Sequence, residues 1–252
     1  MSEHIENRGE NPSTPNAKEG NEVSLRTYDE ELRTLDAQVA KMGGLAEQAV
    51  GCAIDALCNR NPELAQTTLE NDTAIDALER SVDDLAISII ARRAPVATDL
   101  RQIVAAIRIA VDLERIGDLS KNIAKRAIAV AAESHPKQLM TGFLHIGETA
   151  MRQLKDVLDA YSQRDSRLAK KVWQQDRDID AMYNSLYREI LTAMMEQPKA
   201  ASLYAHLLFG AKNLERIGDH ATNIAETIYF LVEGKALREE RPKSDSTSLT
   251  LV

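Results

Sequence analysis

Two sets of residues in this chain are spaced as ligands along a helix would be. Glu114, Asp118 and Asn122 fall at i, i+4 and i+8, and Glu215, Asp219 and Asn223 repeat that spacing 101 residues later (114 to 215). On an α-helix each set forms one nearly straight row of oxygen-bearing side chains. Like charges four residues apart repel by about 0.2–0.5 kcal/mol even when exposed. Each row here also continues an apolar one. Leu100 and Ile107 precede Glu114, and Leu208 precedes Glu215, at multiples of seven. Carboxylates placed that close to a helix–helix seam need an ion pair or a bound cation. Gly117 and Gly218, three residues after each glutamate, cost about 1 kcal/mol against alanine in mid-helix and mark the close approach of a neighbouring group.

The repeat extends beyond these rows. Asn61-Pro62-Glu63-Leu64-Ala65 aligns with Asp165-Ser166-Arg167-Leu168-Ala169, and Asp72 to Asp76 aligns with Asp176 to Asp180, both 104 residues on (72 to 176). Each half thus carries two acid-x-x-x-acid pairs: Asp72/Asp76 with Glu114/Asp118, and Asp176/Asp180 with Glu215/Asp219. Antiparallel neighbours in a bundle lie ~8–10 Å apart between axes, so such pairs can face one another. Four converging carboxylates, with amide oxygens from Asn122 and Asn223, would make a hard-oxygen site for a divalent or ferric cation. Iron, zinc, manganese, magnesium and calcium all stay open, because no histidine or cysteine holds a matched position. His220 adjoins Asp219, but its counterpart is Leu119. The competing reading is a plain salt-bridge lattice, with Arg115 and Arg216 neutralising the rows. Recurrence at four matched places weighs toward the cation.

The elements that must position these acids follow from periodicity. Thr27-Tyr28-Asp29-Glu30 fits a capping box, and Leu32, Leu35, Val39, Met42 and Ala46 continue at helical spacing. Asn61-Pro62 closes that helix and opens a second, which ends at Arg92-Arg93-Ala94-Pro95. A third helix, about Ala97 to Ala132, is apolar on several sides and should be the most enclosed of the first three. Ser134-His135-Pro136 breaks the chain. A fourth helix follows, Asp165-Ser166 caps a fifth, and Pro198 opens a sixth that stops at Gly234. Trp173, Met182, Met194 and Met195 read as packing residues, and Arg92-Arg93 as an exposed helix end. No segment alternates long enough to be a strand. The expected fold is all-α, two tandem antiparallel three-helix bundles related by duplication: residues 25–133 and 134–234, between disordered tails at 1–24 and 235–252.

Bulk properties narrow the function. The 252 residues carry a net charge of −8, with 28% charged and 4% aromatic residues. There is neither the basic stripe of a phosphate-backbone binder nor aromatic platforms for stacked bases. The start of the chain has no signal-peptide pattern, and no apolar run approaches the ~18 residues of a membrane span. Cys52 and Cys58 lie six apart on one helix, a spacing that suits neither a disulfide nor zinc. A cytoplasmic address is expected. G-x-S-x-G, a glycine-rich phosphate loop, H-E-x-x-H and the Glu-x-x-His of di-iron bundles are all missing. A carboxylate-held metal could still activate water, so a metal-dependent phosphoester hydrolase is the alternative reading.

The chain resembles the PhoU family through Arg93-Ala94-Pro95-Val96-Ala97-Thr98-Asp99-Leu100-Arg101, through Asp112-Leu113-Glu114-Arg115-Ile116-Gly117-Asp118, and through the second copy from Leu214 to Glu226. The resemblance covers about residues 25 to 234 and implies two three-helix bundles. It further implies metal clusters, commonly iron or zinc, on the four acid pairs. It implies a cytoplasmic homodimer that restrains the phosphate-starvation response and phosphate uptake. Its expected partners are the ATP-binding subunit of the phosphate ABC transporter and the phosphate-sensing histidine kinase. The second copy has no match for Arg93 and Arg101 around Pro198, so contacts made by that loop would be confined to the first half.

Overall fold

The computed structural model describes residues 17–134 and 136–237, with side chains from Arg26 onward. Residues 1–16, His135 and 238–252, which include most of both expected tails, lie outside the described residues. The helices are α1 (Ala17–Cys58), α2 (Pro62–Arg93), α3 (Ala97–Val130), α4 (Lys137–Gln163), α5 (Ser166–Gln174), α6 (Asp176–Glu196) and α7 (Ala201–Glu233), with a 3₁₀ turn at Pro198–Ala200. Among the described residues there is no strand.

The caps form as the sequence predicts. Asn61 accepts from the Leu64 amide at 3.0 Å, with Pro62 at the first helical position. Asp165 accepts from Arg167 and Leu168 at 2.8 and 3.1 Å. Gly234, in the left-handed region at φ 70, closes α7 by donating to the Phe230 carbonyl. Two expectations need correction. Residues 17–24, expected in the disordered tail, belong to α1, so Thr27 lies inside the helix and its capping box is not used; no proline interrupts this stretch after Pro15. The expected fifth helix is also two helices, α5 and α6. The chain bends at Gln175 (φ −85, ψ −2), and Gln153 Nε2 on α4 donates to the Gln175 carbonyl freed by the break, at 3.0 Å.

The duplicated chain builds two antiparallel bundles: α1, α2 and α3 form the first, and α4, α5–α6 and α7 the second. α3 packs on α1, α2 and also α7, so it is indeed enclosed. The halves join along two seams. At the α1–α4 seam glycine faces a large side chain: a Cβ on Gly43 would lie 2.6 Å from Leu158, and one on Gly147 would lie 2.7 Å from Ile54. At the antiparallel α3–α7 seam the Arg108 and Arg126 guanidinium groups lie over the rings of Phe230 and Phe209, at 5.8 and 4.5 Å. Between these stacks Asp112 Oδ1 contacts His220 Nδ1 at 2.8 Å and accepts from Asn223 Nδ2 at 3.3 Å.

Trp173 is buried and its Nε1 donates to Glu226 at 2.9 Å. Met182 and Met194 pack against the core, whereas Met195 is exposed rather than a gap-filler. Arg92 and Arg93 both reach Glu31 on α1, at 3.2 and 3.1 Å. They tie the α2–α3 turn to α1 instead of standing free.

Candidate functional site

The acid pairs face one another across α2 and α3, and across α6 and α7. In the first half Asp72 is buried, while Asp76, Glu114 and Asp118 are partly exposed. Burial first, then the charge of Asp118, pushes the Glu114 carboxyl above the usual glutamate range, with Glu79 and Asp76 adding to the rise and Arg115 opposing it. The part of the rise that comes from Asp118, Glu79 and Asp76 places their charges close to Glu114. Gly117 accounts for the closeness: a Cβ there would lie 3.0 Å from Ile75 Cδ1 and 3.6 Å from Asp72 Oδ1. The small residue lets α2 settle against α3.

A lysine stands among these acids. Lys121 Nζ pairs with Asp72 and lies 3.6 Å from Asp118. Its hydrogen bond to Asp72 holds its pKa above the usual lysine value. Arg115, more than half exposed, reaches Glu114 at 3.4 Å and Asp118 at 3.8 Å. Asn122 is exposed.

The second half is more enclosed. Asp176, Asp180 and Glu215 are buried, and Asp219 is partly so. Thr222 Oγ1 donates to Asp176 at 2.9 Å. A Cβ on Gly218 would lie 2.6 Å from Ile179 Cδ1, the counterpart of Ile75. Glu215 Oε1 accepts from Lys212 at 2.7 Å, but its Oε2 is buried with no hydrogen-bond partner. Burial is the main cause that raises the Glu215 carboxyl; Lys212 pulls against it, and Asp219 and Asp180 push further up. Asn223 Nδ2 donates to Asp112 on α3, and Arg216 is exposed.

The donor chemistry suits a hard cation, since the sets are all carboxylate and one buried oxygen is unsatisfied. The spacing is not closed. Among the described residues no three of His, Cys, Asp and Glu are grouped to hold a metal ion. Lysine, with its ammonium beside Asp72 and Glu215, supplies the positive charge instead. The sequence reading weighed Arg115 and Arg216 as neutralisers and overlooked Lys121 and Lys212. Their signal is present, as each lies three residues from an acid on the same helix, but that spacing is commonplace.

The raised Glu215 carboxyl carries a pH signature. The folded chain disfavours the ionised form, so this contribution to stability is complete below the ordinary glutamate value of 4.5 and is lost as pH rises through the folded value. In protein stripped of metal, Glu215→Gln should therefore raise Tm at pH 7, because the amide carries no charge to bury. The gain should vanish below pH 4.5; thermal melts across pH check it, and a loss of stability at pH 7 would contradict it.

A sequence profile of the PhoU domain matches residues 39–127 and, a second time, residues 143–228. The chain belongs to the PhoU family. The two PhoU matches coincide with the two bundles and take in all four acid pairs. A PhoU homologue of Rhizobium meliloti is 51% identical over 224 residues, 89% of this chain and 94% of that protein. One from Caulobacter vibrioides is 45% identical over 228 residues, 90% of this chain and 99% of the relative. Both are named phosphate-specific transport system accessory proteins. The crystal structure of PhoU from Pseudomonas aeruginosa superposes with a TM-score of 0.80 at 38% identity, covering 82% of this chain and all of that one. The phosphate transport system regulatory protein PhoU from Streptococcus pneumoniae gives 0.76 at 26%, covering 84% of this chain and all of its own. PhoU proteins are accessory and regulatory by name rather than enzymes, which sets aside the phosphoester hydrolase.

Proposed function

We propose that this protein is an accessory regulator of phosphate-specific transport, acting as a cytoplasmic adaptor that holds phosphate uptake and the starvation response in check. The observation that carries the reading is the 51% identity, across nearly all of both chains, to a phosphate-specific transport accessory protein. Its partners would be the ATP-binding subunit of the phosphate ABC transporter and the phosphate-sensing histidine kinase, and the protein would act as a homodimer. An adaptor of this kind needs a rigid body with long helical faces, and no helix among the described residues is long and apolar enough to cross a membrane. The membrane and ATP chemistry would then reside in the partners.

The acid rows are the proposed regulatory element. A divalent or ferric ion, iron or zinc first, would be held by Asp76, Glu114 and Asp118 in the first half and by Asp180, Glu215 and Asp219 in the second. Asp72 and Asp176 would stand behind them. Such an ion supplies a positive charge that the carboxylates otherwise take from Lys121 and Lys212. Binding would compete with those lysines, so occupancy would change the charge presented along α3 and α7.

The test uses a phosphate-repressed reporter in cells lacking their own copy of the protein. Wild type should restore repression in high phosphate. Glu114→Gln/Asp118→Asn/Glu215→Gln/Asp219→Asn should fold, by circular dichroism, yet leave the reporter at the level of the deletion. Repression by the folded variant would remove the acid rows from signalling. Failure of the wild type would remove the adaptor reading itself.

A further inference from the structure

The α1–α4 seam opens into a groove of about 380 Å³, away from the acid rows. Its floor is made of small and apolar residues, Ala37, Ala40 and Gly44 from α1 and Leu158 from α4. A Cβ added to Gly44 would meet nothing within 4 Å, so the backbone of α1 is open to close approach there. One end is already settled. Asp36 accepts from Arg164 at 2.6 Å, from Tyr161 at 2.7 Å and from Gln102 at 3.0 Å, which consumes the charge of that guanidinium.

The other end is not settled. Glu47 of α1 and Asp159 of α4 flank the groove, and among the described residues neither makes a hydrogen bond or an ion pair. Burial and the charge of Asp159 raise the Glu47 carboxyl, and the nearby Lys155 only partly offsets them. Two carboxylates held together over an apolar floor, without a paired cation, are complementary to a positive group on an apolar stem. Arginine and lysine have that form, since the methylenes lie on apolar surface while the head reaches the acids.

We propose that the α1–α4 groove docks a helix of a partner protein that presents an arginine or lysine to Glu47 and Asp159. The small residues of α1 admit the helix backbone, and Leu158 takes its apolar side chains. Because α1 and α4 belong to different bundles, an occupant here clamps the two halves together. The inference shares with the adaptor reading the premise of a protein partner. It concerns a different surface, so its failure leaves the acid-row account standing, and repression by the acid-row variant leaves this one standing.

The probe is a synthetic amphipathic helix of leucine and alanine with arginines along one face, titrated into the full-length protein at low salt. A second peptide carries neutral citrulline in place of each arginine. The arginine peptide should bind about tenfold more tightly than the citrulline peptide, the worth of one partly desolvated ion pair. Glu47→Gln/Asp159→Asn should lose that tenfold difference. Glu63→Gln/Asp84→Asn, which removes two exposed acids from α2, should keep it. The groove variant should also melt no lower than wild type, because it loses a repulsion and no partner. Equal losses in the two variants would mean diffuse attraction to an acidic chain, and no loss in the groove variant would mean docking elsewhere; either overturns the proposal. Sedimentation without peptide supplies the last outcome: self-association abolished by Glu47→Gln/Asp159→Asn would make the occupant a second copy and overturn the partner helix.

Discussion

Phe143→Ala should cost about 3–5 kcal/mol, the range for removing a buried aromatic ring without refilling its space. Phe143 lies on α4 and is almost fully buried. Its ring atoms Cε1 and Cζ come within 3.3 and 3.5 Å of where a Cβ on Gly210 of α7 would be, and Leu57 of α1 lies 3.5 Å from the same point. The ring therefore fills the place where a helix of the first bundle meets two of the second. Gly210 gives it room and has no side chain of its own to fill the cavity. Typical domains have only about 5–15 kcal/mol in total. The loss should appear as a lower denaturant midpoint, and a second transition should emerge if the halves then unfold separately. A cost below about 1 kcal/mol would show that the junction contributes little and that each bundle stands alone.

Much of the fold was readable because duplication states it twice. The caps at Asn61, Asp165 and Gly234 are local signals with local causes, and they form where expected. The facing of Asp76 toward Glu114 and of Asp180 toward Glu215 was likewise readable, since helical spacing places each acid and short connections make the helices neighbours. What was hidden depends on contacts between elements. The bend at Gln175 is held by Gln153 from α4, twenty-two residues earlier, and helical periodicity runs through it without a break. Asn223 had the right spacing to extend the second row, and its Nδ2 donates to Asp112 across the α3–α7 seam, a contact that needs the crossing of two bundles. Gly117 and Gly218 were read as marks of close approach, and the groups that approach are Ile75 and Ile179. Lys121 was hidden for another reason: a lysine three residues after an aspartate is ordinary on any helix, and only packing against Asp72 gives it a role.

The second large effect concerns metal. Burial and neighbouring negative charges raise the Glu114 and Glu215 carboxyls, and a cation joining the acids relieves the repulsive part. An ion that binds only the folded chain stabilises it by about 4 kcal/mol when present at a thousandfold over its Kd. Glu114→Gln/Glu215→Gln should abolish that gain while leaving the helices formed. The pH dependence should follow, with metal stabilisation fading as acid protonates the same carboxylates.

The most direct test of the account is elemental analysis of protein purified without chelator, paired with its melting curve before and after chelation. The account predicts bound iron or zinc in wild type, little in Glu114→Gln/Glu215→Gln, and a lower Tm once the metal is stripped. Metal near zero in wild type, with a Tm that chelation does not move, would contradict it and leave Lys121 and Lys212 as the lasting partners of the acid rows.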